Sequence, residues 1–158
     1  MKASFTLVVI VVGLSFVLMS PVFAVPKMNV GAHLAGRNEV PAIDTRAQGQ
    51  VIFKISDDET MISYKLIVAN IDNVLQAHIH LGAVDVNGQV VVFLYGPILI
   101  SGSFSGVLAE GTITATNLVG PLAGQPLSSL INAIRAGNTY ANVHTTQNPT
   151  GEIRGQIG

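Results

Sequence analysis

Two histidines one residue apart, His78 and His80, lie in the stretch Ala77-His78-Ile79-His80-Leu81, where the flanking residues are apolar. Successive side chains of a β-strand point to opposite faces, so both imidazoles share one face while Ala77, Ile79 and Leu81 take the other. The stretch Tyr140-Ala141-Asn142-Val143-His144-Thr145 has the same pattern, with Val143 in the apolar phase and His144 opposite to it. His33 is likewise out of phase with Val30, Ala32 and Leu34. If these strands are neighbours in a sheet, the imidazoles converge on one surface. Imidazole nitrogen is the preferred protein ligand for Cu(II) and Zn(II). A set of three, His78, His80 and His144, leaves a coordination position open for water or a small ligand, and His33 is the candidate fourth ligand. The competing reading is a set of solvated polar residues on an exposed strand face, which fits the isolated His33 better than the paired His78 and His80.

Other chemistries find less support. The chain has no cysteine, which excludes a thiolate metal site, a cysteine nucleophile and disulfides. Serines occur without a Gly-x-Ser-x-Gly elbow, and no phosphate-cradling Gly-x-x-x-x-Gly-Lys loop is present. Asp85-Val86-Asn87-Gly88 resembles the start of a calcium loop, but no bidentate Glu follows at the required offset, and a hairpin turn is the better account. Net charge is −1, with Lys and Arg scattered and aromatics sparse, so neither the footprint of a nucleic-acid binder nor a stacking platform for bases or sugars is present. No catalytic set is evident. Glu152 and Arg154 share a strand face at i, i+2, and Arg154 is expected to make a structural ion pair with Glu152 or Glu39.

The elements that must carry these residues are mostly strands. Apolar residues alternate at Val30, Ala32 and Leu34 and again at Ile62, Tyr64, Leu66 and Val68. Further strand candidates cover residues 49–55, 75–81, 89–95, 102–108, 111–115, 139–144 and 151–157. Turn chemistry separates them at residues 56–59, 70–73, 85–88 and 147–151. One helix is expected near residues 126–136: Leu127, Leu130, Ile131 and Ile134 form a single apolar stripe, Pro126 suits its start, and Gly137 suits its end. The expected fold is all-β, an antiparallel Greek-key β-sandwich or barrel, with this short α-helix covering one end or edge.

The N-terminus reads as an export signal. Lys2 precedes an apolar run from Phe5 to Met19, and Val22-Phe23-Ala24 provides a cleavage site after Ala24. The alternative is an uncleaved membrane anchor. On the first reading residues 1–24 are a signal peptide and residues 25–158 a single domain, which places the mature protein in the extracellular space, the periplasm or the cell envelope, free of the membrane.

Four stretches, taken in order, resemble a known family. Gly36-Arg37-Asn38-Glu39-Val40-Pro41, Ala77-His78-Ile79-His80-Leu81-Gly82, Tyr140-Ala141-Asn142-Val143-His144-Thr145 and Gly151-Glu152-Ile153-Arg154-Gly155-Gln156 are similar to the CHRD domain, the module named after chordin and also found in microbial exported proteins. The His-x-His followed by a late Val-His also looks like the ligand pattern of copper/zinc superoxide dismutases, which are Greek-key barrels. The chain departs from that pattern in lacking the cysteines and any evident zinc loop with a bridging histidine and an aspartate. The resulting expectation is an exported metal-binding protein more than an enzyme. A mononuclear copper ion, or alternatively zinc, is held by His78, His80 and His144, with His33 as a further ligand, for copper handling or redox chemistry. The rivals are a metal-free module that binds another extracytoplasmic protein or a second copy of itself, and a superoxide-dismutase-like enzyme.

Overall fold

The computed structural model describes residues 29–158, so the candidate signal peptide lies outside the described residues. The strands are β1 (Asn29–Ala35), β2 (Gln48–Ile55), β3 (Ile62–Leu81), β4 (Gln89–Tyr95), β5 (Ile100–Ile113), β6 (Thr139–Thr145) and β7 (Ile153–Gln156), with one α-helix, α1 (Leu127–Arg135), between β5 and β6. All pairings are antiparallel. The sheet runs β2-β1-β7-β6-β3-β4, and β2 also pairs with β3, which closes a barrel. The spatial order β7-β1-β2-β3 is that of a Greek key, three hairpin-connected strands with a later one returning beside the first. The expected all-β fold with one helix is observed, in its barrel form.

Closure depends on β3. Its first half pairs with β2 and β5 and its second half with β6 and β4. The Asn70–Asn73 region, expected as a turn between two strands, is instead a pair of irregularities inside one 20-residue strand. Asn70 and Asn73 take left-handed φ values of 54° and 51°, a conformation Asn tolerates better than most residues. A third irregularity follows between Val74 and Gln76, and each of the three slips the alternation by one residue. Leu66 and Val68, at even positions, face the core, then odd Ile71 after the first slip, even Val74 after the second, and odd Ala77 and Ile79 after the third. A one-residue slip moves every later side chain to the other face. His78 and His80, even-numbered, are thereby placed outside the barrel. The strands expected over 102–108 and 111–115 likewise merge into the single β5, which ends at Ile113, while Ala115 opens a short 3-10 turn.

The barrel interior is one apolar cluster. Val51 pairs with Leu66, Ala77 with Val143, and Val143 with Ile153, all fully or almost fully buried. Helix α1 packs Leu127, Leu130, Ile131 and Ile134 into the same cluster, and Gly137 follows it with φ 67°, as its apolar stripe and terminal glycine anticipate. Among the described residues no helix is long and apolar enough to cross a membrane.

Candidate metal centre

On the outer face of β3, β6 and β7 the side chains are polar, yet they are buried. His78 pairs across the strands with Asn142, and Asn142 with Arg154; His80 pairs with Tyr140, and Tyr140 with Gln156; His144 pairs with Gln76. These register rows put three histidines on one face, as their strand phases predict. The face is not solvated, since His78, His80 and His144 are only 3%, 8% and 5% exposed. One ring nitrogen from each lies within 4.8 Å of those of the other two, so the group could hold a metal ion.

What covers the face comes from loops. The turn between β3 and β4 folds over it, its Gly88 carbonyl accepting from His80 Nδ1 at 2.9 Å. The loop after β6 supplies the Pro149 carbonyl, 3.0 Å from His144 Nδ1. Phe93 of β4 sets its ring against His78 edge-on at 5.0 Å, and Tyr140 stacks on His80 at 4.7 Å. A carbonyl can only accept, so both Nδ1 atoms carry hydrogen and both Nε2 atoms offer lone pairs. This arrangement, with the far ring nitrogen donating to backbone, orients and tunes imidazole as a ligand. His144 Nε2 then accepts from His78 Nδ1 at 3.0 Å, which leaves His78 Nε2 as a lone pair too. Nε2 of His78 and Nε2 of His80 are buried without any hydrogen-bond partner. Orphaned buried acceptors cost free energy unless a proton donor or a cation meets them.

Burial keeps the rings neutral. It is the main cause that pushes His78 down to about 3, with His144 and His80 adding to the effect. His80 and His144 are also held below the ordinary histidine value, chiefly by burial, although the Gly88 and Pro149 carbonyls oppose the shift. Glu39, beside this layer, goes the other way: burial raises its carboxyl to about 7 against the opposing pull of Arg154 and Asn142.

The fourth candidate stands apart. His33 is exposed on β1 and pairs with Gln50, and β7 and β6 lie between β1 and β3. With strands about 4.8 Å apart, that is roughly 14 Å across the sheet, so the structure groups three histidines and leaves His33 outside. The ion pair expected for Arg154 is not formed, as neither Glu39 nor Glu152 is within ion-pair distance of it. Glu152 is occupied by the Thr45 and Thr145 hydroxyls and the Asn148 amide. Arg154 instead lies 3.4 Å over the Tyr140 ring and donates to Asn87 Oδ1 and to the Ala83 and Val86 carbonyls. It pins the covering turn in place. Glu39 packs on the backbone of Gly151, where φ is 133° and a Cβ would lie 2.5 Å from the carboxylate. The φ value favours glycine there, and a Cβ would in addition push the Glu39 carboxylate aside.

Sequence reasoning assigned the 85–88 stretch to a turn and saw no role for Asn142, Phe93 or Pro149. Only the position of Asn142, two before His144 in the same phase, was a signal that could have placed it in the site.

Residues 30–157 match the family model of the CHRD domain. No curated protein and no solved structure matches the chain, so the superoxide-dismutase likeness gains no support from comparison.

Proposed function

The chain belongs to the CHRD domain family, and we propose that it is an exported metal-binding protein holding one copper ion, or alternatively zinc, through His78, His80 and His144. The observation that carries this reading is the buried trio of imidazoles with two Nε2 lone pairs that nothing else satisfies, the third, His144 Nε2, becoming a ligand when the ion displaces the hydrogen bond from His78 Nδ1. The donor set is neutral nitrogen with no carboxylate among the three, which suits copper and zinc over magnesium or calcium, and copper(II) binds such sites more tightly than zinc(II). A carrying or buffering role follows from a site closed over by loops. The test is metal analysis of protein purified without a histidine tag, with the electron paramagnetic resonance spectrum of the copper-loaded sample. One copper per chain with nitrogen hyperfine structure is expected, and weak, non-stoichiometric copper without it would overturn the reading. A dismutase assay on the same sample separates carrier from enzyme.

The lowered histidine values set a pH dependence. Each ring keeps its lone pair in the folded protein, while in the unfolded chain it takes a proton near its ordinary value of 6.5. The unfolded state therefore binds more protons below that pH, and the ion-free protein loses stability as pH falls from about 6.5 toward the His78 value of about 3. Glu39 has the opposite sign: its raised value weakens the fold as pH rises from 4.5 to about 7. The two slopes overlap between pH 4.5 and 6.5, where three rings outweigh one carboxyl. Thermal melts of the metal-free protein are therefore expected to show stability rising from acid toward neutral pH, less steeply than in Glu39→Gln. Copper, which needs the same lone pairs, is expected to stay bound through mild acid and to leave only well below pH 6.5, with uptake of several protons per ion. Release at a pH-independent rate and extent would point to other ligands.

A further inference from the structure

The metal trio is not alone in carrying bare acceptors. Asn142 is 2% exposed, and its Oδ1 has no hydrogen-bond partner. Its residue pairs with His78 across β3 and β6 and precedes His144 by two on the same face, so its amide emerges between the rings. The amide is near enough to shift both the Glu39 carboxyl and the His80 ring, lowering the first and raising the second. Where Glu39 is ionised, its carboxylate favours the NH2 end, which turns Oδ1 toward the histidines. There it meets His80 Nε2, which is also an acceptor, because His80 Nδ1 is committed to the Gly88 carbonyl. Three acceptors, Asn142 Oδ1, His78 Nε2 and His80 Nε2, thus share one buried layer with no donor among them. Acceptors cannot satisfy one another, and a cation is the single species that satisfies all three at once.

Building on the metal reading above, we propose that Asn142 Oδ1 is the fourth ligand of the same ion, giving a three-nitrogen, one-oxygen site whose amide is oriented by Glu39. The position left open by three histidines is then filled by protein instead of by water. An amide oxygen is a harder donor than imidazole, so it favours Cu(II) over Cu(I), which is content with three nitrogens. The neutral amide adds no charge to a buried centre, in keeping with the neutral rings beside it.

The experiment compares the parent with Asn142→Ala and Asn142→Asp, each loaded with copper alone. For Asn142→Ala, Cu(II) affinity is expected to fall roughly ten- to a hundredfold, while Cu(I) affinity, measured by chelator competition, stays close to the parent's. The reduction potential then rises by about 59 mV for each tenfold. Electron-nuclear double resonance is expected to show no strongly coupled exchangeable protons of a copper-bound water in the parent and to show them in Asn142→Ala. Asn142→Asp, of the same shape, retains Cu(II) but shifts its paramagnetic resonance parameters, since an anionic oxygen replaces a neutral one. This variant and the parent spectrum decide the matter even if the alanine variant folds poorly. Stoichiometric copper in the parent with bound-water protons already present, or with an Asn142→Asp spectrum identical to the parent's, overturns the fourth ligand and leaves the three-histidine site standing. A parent that binds no copper stoichiometrically overturns both.

Discussion

Replacement of both His78 and His80 by alanine is expected to abolish stoichiometric copper binding while the β-rich circular dichroism spectrum survives. Only His144 would remain of the three imidazoles, and a single imidazole does not hold an ion against buffer and water. Loss of even an outer-shell partner commonly costs ten- to a hundredfold in affinity, so loss of two ligands is expected to exceed about a hundredfold. The fold has reason to persist. Both side chains lie outside the barrel, and their neighbours Ala77 and Ile79 keep the inner face fully buried. Removing them also removes two of the buried acceptors that have no partner. The cost is the Gly88 carbonyl and His144 Nε2 left without their donors, about 1–3 kcal/mol each. Isothermal titration beside circular dichroism checks both halves. Copper retained at one equivalent by a folded double variant would remove these residues from the site. His33→Ala serves as the control and is expected to leave affinity unchanged, because His33 is exposed on β1.

The histidine cluster was legible because alternation on a strand is a local property. The phase of Ala77, Ile79 and Val143 tells which way His78, His80 and His144 point, whatever the rest of the chain does. The same argument succeeded although residues 70–73 were expected as a turn, since the phase of each half of β3 is read separately and the three slips between Val68 and Gln76 fall between them. The argument also assigned His33 to the outer face, which is correct by register, as Ala35 pairs with Arg154. Phase gives the face of a residue and not its neighbours. Strand order separates β1 from the histidine-bearing half of β3 by two strands, and that order comes from long-range pairing that no local pattern encodes.

Burial of the site was not legible for a related reason. A polar face opposite an apolar one reads as solvent-facing, the ordinary case for an antiparallel sheet. Here the 82–88 turn and the 146–150 loop cover it by accepting hydrogen bonds through backbone carbonyls of Gly88 and Pro149. Any residue type supplies a carbonyl, so the contact leaves no mark in the sequence. The same holds for Arg154. Its charge and its face were clear, and a carboxylate two residues away was the natural partner, but the carbonyls of Ala83 and Val86 and the ring of Tyr140 were the ones within reach.

That corrected role gives Arg154→Ala a large expected effect on stability. The guanidinium is 2% exposed and ties β7 to the covering turn through three hydrogen bonds and to β6 through the Tyr140 ring. Hydrogen bonds from a charged group are worth about 1.5–3 kcal/mol each, and a desolvated cation over an aromatic ring about 2. These are not additive, and the loss is expected to be on the order of 3–5 kcal/mol, comparable to removing one partner of a buried charge pair. A fall of roughly 10–15 °C in Tm corresponds to that range. The deficit is also expected to depend on pH. Arg154 lowers the proton affinity of Glu39, which burial has raised to about 7, so without the arginine the carboxyl is pushed higher still and its ionised form becomes costlier to bury. The gap between parent and variant is therefore expected to widen as pH rises through 7 and to narrow below 4.5, where Glu39 is neutral in both the folded and unfolded chain. Adding Glu39→Gln is expected to remove the pH-dependent part of the gap and leave the hydrogen-bonding part. Copper affinity, measured at a temperature where the variant is folded, is expected to fall by about tenfold at most, because Arg154 contributes no ligand atom and acts only on the turn that carries Gly88. Lysine is not expected to rescue, since a point charge can neither stack on Tyr140 nor span Asn87, Ala83 and Val86 together. If Arg154→Ala instead melts with the parent at every pH and loses copper, the guanidinium serves the metal centre directly, and the division between a histidine site and an arginine clamp fails.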